Sequence, residues 1–218
     1  MTPPYFQQIM DGERRAIIAE MTAATAHQPF GAVVDIATVR DKPTLFRARH
    51  PVNLEALGDG SFVQVTPTIE AKVLWVRTDN DKYRESYGQF LALFHPGGPG
   101  AIPSDLHVDH LYNRERARTF ALNYIRMGLV PGSPNTSHGA GYEKKRTHGV
   151  GRVGRDRSID TVMMLKALGF RSPPMRGTVT GEMRAFAALL GPQIGIEPGQ
   201  LLQEIANLVE VANFEPSD

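Results

Sequence analysis

The sequence contains no cysteine, so it can hold neither a disulfide framework nor a thiolate metal site. No apolar run in it approaches the roughly 18 residues of a membrane-spanning helix. The opening Met1-Thr2-Pro3-Pro4-Tyr5-Phe6 lacks the basic start and apolar stretch of a secretory signal. Net charge is also small, +1 from 24 basic and 23 acidic residues, so the total implies no acidic partner. These absences lead to the expectation of a soluble cytoplasmic protein with no membrane partner. At 218 residues, 41% hydrophobic and 22% charged, the chain has the make-up of an ordinary globular protein able to bury a sizeable core.

What the total charge hides, the distribution reveals. From His110 to Arg157 there are ten Lys/Arg and three Asp/Glu, a balance of +7, which leaves 14 basic and 20 acidic residues elsewhere, a balance of −6. A basic segment in an otherwise acidic chain is a candidate anion-binding surface. The plainer alternative is a solvated loop.

Periodicity suggests an α+β fold with a strand-rich N-terminal half (1–104), a central segment (105–157) and a helical C-terminal third (158–218). A helix is expected from Asp11 to Ala26, with Ile17, Ile18 and Met21 as apolar positions. Gly31 to Val39 reads as a strand, with Thr44 to Arg49 as its hairpin partner. Phe62 to Val76 is β-rich and interrupted at Pro67. Tyr87 to Phe94 fits strand or helix, and His95 to Gly100 breaks either. Arg114 to Tyr124 is expected to be helical and Ile125 to Val130 a strand. Pro131 to Gly154 is too polar for core. Ser158 to Leu168 reads as a helix with Ser158 as N-cap and Gly169 at its end. Gly181 to Leu190 and Pro198 to Ala212 are expected as amphipathic helices, candidates for a protein-partner surface or a homodimer interface.

The chemistry concentrates at Asp105-Leu106-His107-Val108-Asp109-His110. A regular strand would put His107 and Asp109 on one face and Val108 and His110 on the other. A strand that ends and bends at Asp109 would let Asp109 and His110 share a cavity. A carboxylate is a hard ligand for Mg²⁺ or Mn²⁺, and a neutral imidazole beside it can take a proton from water. Together they are the minimum parts for metal-assisted phosphodiester hydrolysis. Downstream, Gly128 to Gly139 runs from a strand-like stretch into a polar turn that carries Asn135 and His138.

This arrangement, over residues 105–146, resembles the HNH branch of the His-Me finger (ββα-metal) endonucleases. The resemblance implies strand, loop, strand and short helix around one divalent metal. It implies Asp109 as metal-binding acid, His110 as general base and Asn135 as the last ligand, with His138 able to take its place. The implied cofactor is Mg²⁺, with Mn²⁺, Ni²⁺ or Zn²⁺ as alternatives. The implied activity is cleavage of DNA or RNA, as in a bacterial toxin, effector or defence protein.

The neighbouring residues suit that partner. Arg114 and Arg118, four apart on a helix, share a face and can fork around phosphate oxygens. Lys144, Lys145, Arg146 and Arg152 lie in a glycine-bearing run that can order on a nucleic acid. It is no P-loop, since the Gly-Lys-Ser/Thr ending is missing. Two other functions remain open at this point: a non-catalytic nucleic-acid-binding module, and a nucleotide- or phosphate-processing enzyme whose glycines hold a phosphate.

Overall fold

The computed structural model describes residues 2–24, 35–43, 52–98, 100–138, 153–159, 161–167, 169, 179–194, 196–203 and 206. It combines α-helices with an antiparallel sheet. The first helix, α1, covers Pro4–Ala24, seven residues earlier than its polar start suggests. Proline is well placed in a first helical turn, and Phe6, Ile9, Met10, Ala16 and Ile17 form its buried stripe. Strand β1 is Asp35–Thr38; of the expected Gly31–Val39 strand, residues 31–34 lie outside the described residues and Val39 lies just past the strand's end. Its expected hairpin partner, 44–49, lies outside the described residues.

The expected β-rich block resolves into β3 (Phe62–Thr66), one 3₁₀ turn over Pro67–Ile69, and β4 (Ala71–Arg77). Glu70 makes the return in a left-handed conformation. A strand that periodicity did not suggest, β2 (Asn53–Ala56), pairs with β3. It has mostly exposed residues and so carries no alternating apolar signature. The ambiguous run before Phe94 is helical: α2 spans Tyr83–Phe94 and buries Ser86, Tyr87, Phe90 and Leu91.

The centre of the fold is β5 (Leu106–His110), α3 (Arg114–Thr119), β6 (Tyr124–Pro131) and α4 (Gly132–His138). Helix α3 is shorter than expected. The Asn113 side chain caps its start by accepting the Arg116 N–H, and Ala121, at φ 52°, turns the chain away after Thr119. Tyr124, expected at the helix end, therefore opens β6. Every residue from Tyr124 to Val130 is buried. The start of β6 pairs with both β1 and β4, and its second half pairs with β5, all antiparallel.

Ser158 also differs from expectation. It belongs with Arg157 to a short strand, β7, paired with β1. The helix behind it, α5, runs Thr161–Ala167, and Gly169, at φ 82°, follows it. Asp156 fastens this segment to the end of β1, accepting from Thr38 Oγ1 at 2.6 Å, Val39 N–H at 3.0 Å and Arg40 Nε at 3.2 Å. Helix α6 covers Gly181–Ile194. Residues 198–203 are helical and bury Leu201, while the rest of the expected last stripe lies outside the described residues.

Candidate functional site

Strand β5 is regular through His110, so its side chains alternate. Leu106, Val108 and His110 are buried, whereas His107 and Asp109 are half-buried. Antiparallel register extends each face onto β6. Leu106, Val108 and His110 sit opposite Pro131, Leu129 and Met127; His107 and Asp109 sit opposite Val130 and Gly128. The first face is apolar, with Leu106, Val108, Met127 and Leu129 packed among Phe6, Tyr87 and Phe90. The second is the polar one. The bend that would bring Asp109 and His110 into one cavity does not occur.

His110 therefore lies on the apolar side. Its ring meets the Tyr83 ring of α2, with centroids 4.5 Å apart, and its Nε2 is buried with no hydrogen-bond partner. Burial, followed by the positive charges of Arg114, Lys166 and Arg118, lowers its pKa to about 3. The imidazole is neutral at physiological pH, as a base requires. A base held so far below neutrality nevertheless has little affinity for the proton it must take.

On the polar face, Asn135 of α4 reaches back to β5. Its amide Nδ2 lies 3.1 Å from His107 Nδ1; in the tautomer with Nδ1 unprotonated, the amide donates. The approach is close because residue 132 is glycine, where a Cβ would stand 2.9 Å from His107 Nε2. Asp109, two residues along the same face, meets α5 instead. Its Oδ2 is 2.5 Å from Lys166 Nζ, an ionic contact outside hydrogen-bond alignment. Lys166 is 1% exposed, and the Asp109 side chain keeps 19% of its surface. His107 and Lys166 are the two site residues that sequence reasoning did not select. The alternation of 106–110 contained the signal for His107. Nothing local marks Lys166, whose place is set by the packing of α5.

Glu13 of α1 meets the edge of β6. Its Oε2 accepts the Leu129 N–H at 2.8 Å and its Oε1 accepts the Tyr87 hydroxyl at 2.6 Å. Burial raises its pKa to about 7, against those two hydrogen bonds and the charges of Arg126 and Arg14. The residue keeps some surface, but its carboxyl group is hemmed in. Glu13, Ile17, Leu111, Arg126, Gly128 and Ala167 line a small cleft there. Gly128 admits the Leu111 side chain, which stands 3.1 Å from where a Cβ would be.

The expected phosphate-binding arginines lie on α3. Arg114 reaches Asp81 at 2.9 Å; Arg118 reaches Asp81 at 3.7 Å and Glu115 at 2.8 Å. Lys144, Lys145, Arg146 and Arg152 lie outside the described residues, as does the side chain of His138, the last residue of α4. Among the described residues, no group of three or more His, Cys, Asp or Glu side chains is placed to hold a metal ion. No described helix is long and apolar enough to cross a membrane. Comparison with protein-family models, curated proteins and solved structures gives no match.

Proposed function

We propose that the chain is a metal-dependent endonuclease that hydrolyses phosphodiester bonds of DNA or RNA on the polar face of β5. One observation carries this reading. Asn135, on the short helix that follows β6, closes onto His107 on the same strand face as Asp109. The amide of the helix thus meets an imidazole of β5, and a carboxylate lies on the same strand face.

That donor set suits a hard divalent cation. Mg²⁺ keeps several waters and needs only one or two carboxylates alongside substrate phosphate, so a cluster of three acidic or histidine ligands is not required. Lys166 Nζ lies against Asp109 Oδ2, a buried oxygen, so a cation would take the other carboxylate oxygen. Asp109 and Asn135 would be the residues to hold the cation, and His107 would supply the imidazole on this side of β5. The cation, when bound, supplies charge neutralisation at the scissile phosphate and a more acidic water. Arg114 and Arg118 would take flanking phosphates, exchanging Asp81 and Glu115 for them.

The test is cleavage of plasmid DNA and structured RNA with Mg²⁺ or Mn²⁺, with and without EDTA, by the wild type and by Asp109→Ala. Metal-dependent cleavage that falls at least 10²-fold in Asp109→Ala is expected. No cleavage with any divalent metal would sink the reading.

A second reading rests on a different observation. The Lys166–Asp109 contact makes Asp109 half of a buried ion pair, suited to anchoring α5 on β5. The chain would then be a non-catalytic nucleic-acid-binding module, binding in EDTA with steep salt dependence.

A further inference from the structure

We propose that Arg116 is a preassembled contact for a nucleic-acid phosphate, made on the side of α3 away from Arg114 and Arg118 and extended by Arg155 and Arg157. This rests on the nucleic-acid part of the reading above and not on its metal. Arg116 stands two positions from each of those helix arginines, so the helix turns it to the far side. There its guanidinium carbon lies 5.7 Å from the centroid of the Tyr112 ring and 5.7 Å from that of the Phe120 ring. Arg157, on β7, comes to the same Phe120 ring at 4.7 Å. The two positive groups are thus no further apart than the sum of their distances to Phe120. Gly154 N–H donates to the Phe120 carbonyl at 3.4 Å, which sets residues 154–157, with the exposed Arg155 among them, beside the end of α3.

Arg114 and Arg118 already have carboxylate partners in Asp81 and Glu115. The Arg116 guanidinium has none among the described residues, and its buried Nε has no hydrogen bond; nor has the buried Tyr112 hydroxyl. The acids next to these arginines in sequence are engaged elsewhere, Glu115 with Arg118 and Asp156 with Thr38, Val39 and Arg40. A partly buried guanidinium with a second one near it and no anion between them is held at a cost in free energy that an oxyanion relieves. Stacking on the rings fixes the orientation of the group and leaves its N–H edge unspent. A phosphate carries the two oxygens that such an edge takes in parallel. At Arg116 it has no ion pair to break, whereas at Arg114 or Arg118 it must displace Asp81 or Glu115. Arg116 therefore contributes more to binding than either of them. Successive cations along α3 and residues 155–157 suit a chain of phosphates better than a single one.

The test is binding in EDTA, where cleavage does not enter, read by fluorescence anisotropy of a labelled DNA duplex and a labelled RNA hairpin over a series of salt concentrations. Arg116→Met keeps an unbranched stem against Phe120 and removes the charge. Arg116→Lys keeps the charge and removes the planar fork. Arg116→Met is expected to bind at least roughly tenfold more weakly than wild type at low salt, with the salt slope reduced by about one unit. Arg116→Lys is expected to keep the slope and recover part of the affinity, and Arg114→Met to lose less than Arg116→Met. Wild-type binding that Arg116→Met leaves unchanged in affinity and slope overturns this proposal and leaves the nucleic-acid reading standing. A wild type that binds neither probe at low salt, or that binds only vesicles of anionic phospholipid, overturns both. Should Arg116→Met fail to fold, the side-chain Nε–H resonance of Arg116 in the wild type decides by NMR. A resonance that shifts and saturates as duplex or hairpin is added supports the proposal, and one that stays put while those of Arg114 and Arg118 move overturns it.

Discussion

Glu13 and His110 both have pKa values shifted toward the neutral form, and their effects on stability run in opposite directions. Glu13 rises from 4.5 to about 7, and His110 falls from 6.5 to about 3. Between pH 4.5 and 7 the folded state holds a proton on Glu13 that the unfolded chain releases. Its contribution is complete at low pH and is lost as pH rises, by about 3 kcal/mol over that interval at ~1.36 kcal/mol per unit. His110 behaves in reverse. Between pH 6.5 and 3 the unfolded chain takes a proton that the folded state refuses, so stability is lost as pH falls, by up to about 5 kcal/mol.

From pH 4.5 to 6.5 the two slopes cancel, and single variants expose each of them. Glu13→Gln should gain about 3 kcal/mol relative to wild type as pH rises through that window. This comes on top of a pH-independent loss of about 1–3 kcal/mol, because one amide oxygen cannot accept from both Tyr87 and Leu129. His110→Leu should lose about 3 kcal/mol relative to wild type over the same window. Urea unfolding followed by the fluorescence of the buried Trp75 measures both. Differences from wild type cancel the other titrating groups. Parallel profiles for the wild type and both variants, or two difference curves of the same sign, would refute the reasoning.

Three further perturbations follow from the packing. Gly132→Ala places a Cβ 2.9 Å from His107 Nε2 and 3.3 Å from the Asp105 carbonyl; a loss of about 1–3 kcal/mol is expected, with the His107 imidazole resonances shifted in NMR. Asp156→Ala removes three hydrogen bonds that join β1 to the segment before α5, and thermal unfolding should show a loss of about 2–3 kcal/mol. Arg114→Ala with Arg118→Ala breaks only exposed pairs with Asp81 and Glu115, so stability should move by no more than about 1 kcal/mol. Filter-binding titrations should nevertheless show weaker nucleic-acid affinity and a salt slope reduced by roughly one unit per lost phosphate contact.

Elements with a strong period were legible in the sequence. The β3–turn–β4 unit announced itself through alternation broken by Pro67, and β6 through a run that is apolar apart from Arg126. Boundaries were lost where local chemistry competed with period. The alanine and aromatic spacing after Arg114 suits a helix, yet the left-handed turn at Ala121 ends it early, and Tyr124 belongs to a strand. Ser158 has the chemistry of an N-cap, but pairing with β1 claims it first. At the site, the choice between a straight and a bent β5 decided which histidine joins Asp109, and strand pairing through His110 selects the straight form. Lys166 could not be read in advance. Its contact with Asp109 spans 57 positions of chain and depends on how α5 settles on the sheet.

The carboxylate of Glu13 has a consequence for how one copy of this chain meets another. Leu111 N–H donates to the Arg126 carbonyl on the β5 side, so by alternation Leu129 N–H points away from β5. Among the described residues the pairing of β4 with β6 stops at Arg126, and the Leu129 donor is taken by Glu13. An unpaired stretch of strand is a template on which a second chain can add its own. Here a helix-borne acid blocks that template at Leu129, so the border of the sheet is guarded by a group that titrates. Self-association through this border should follow the attachment of α1, and the chain would be most open to strand addition wherever that helix is released.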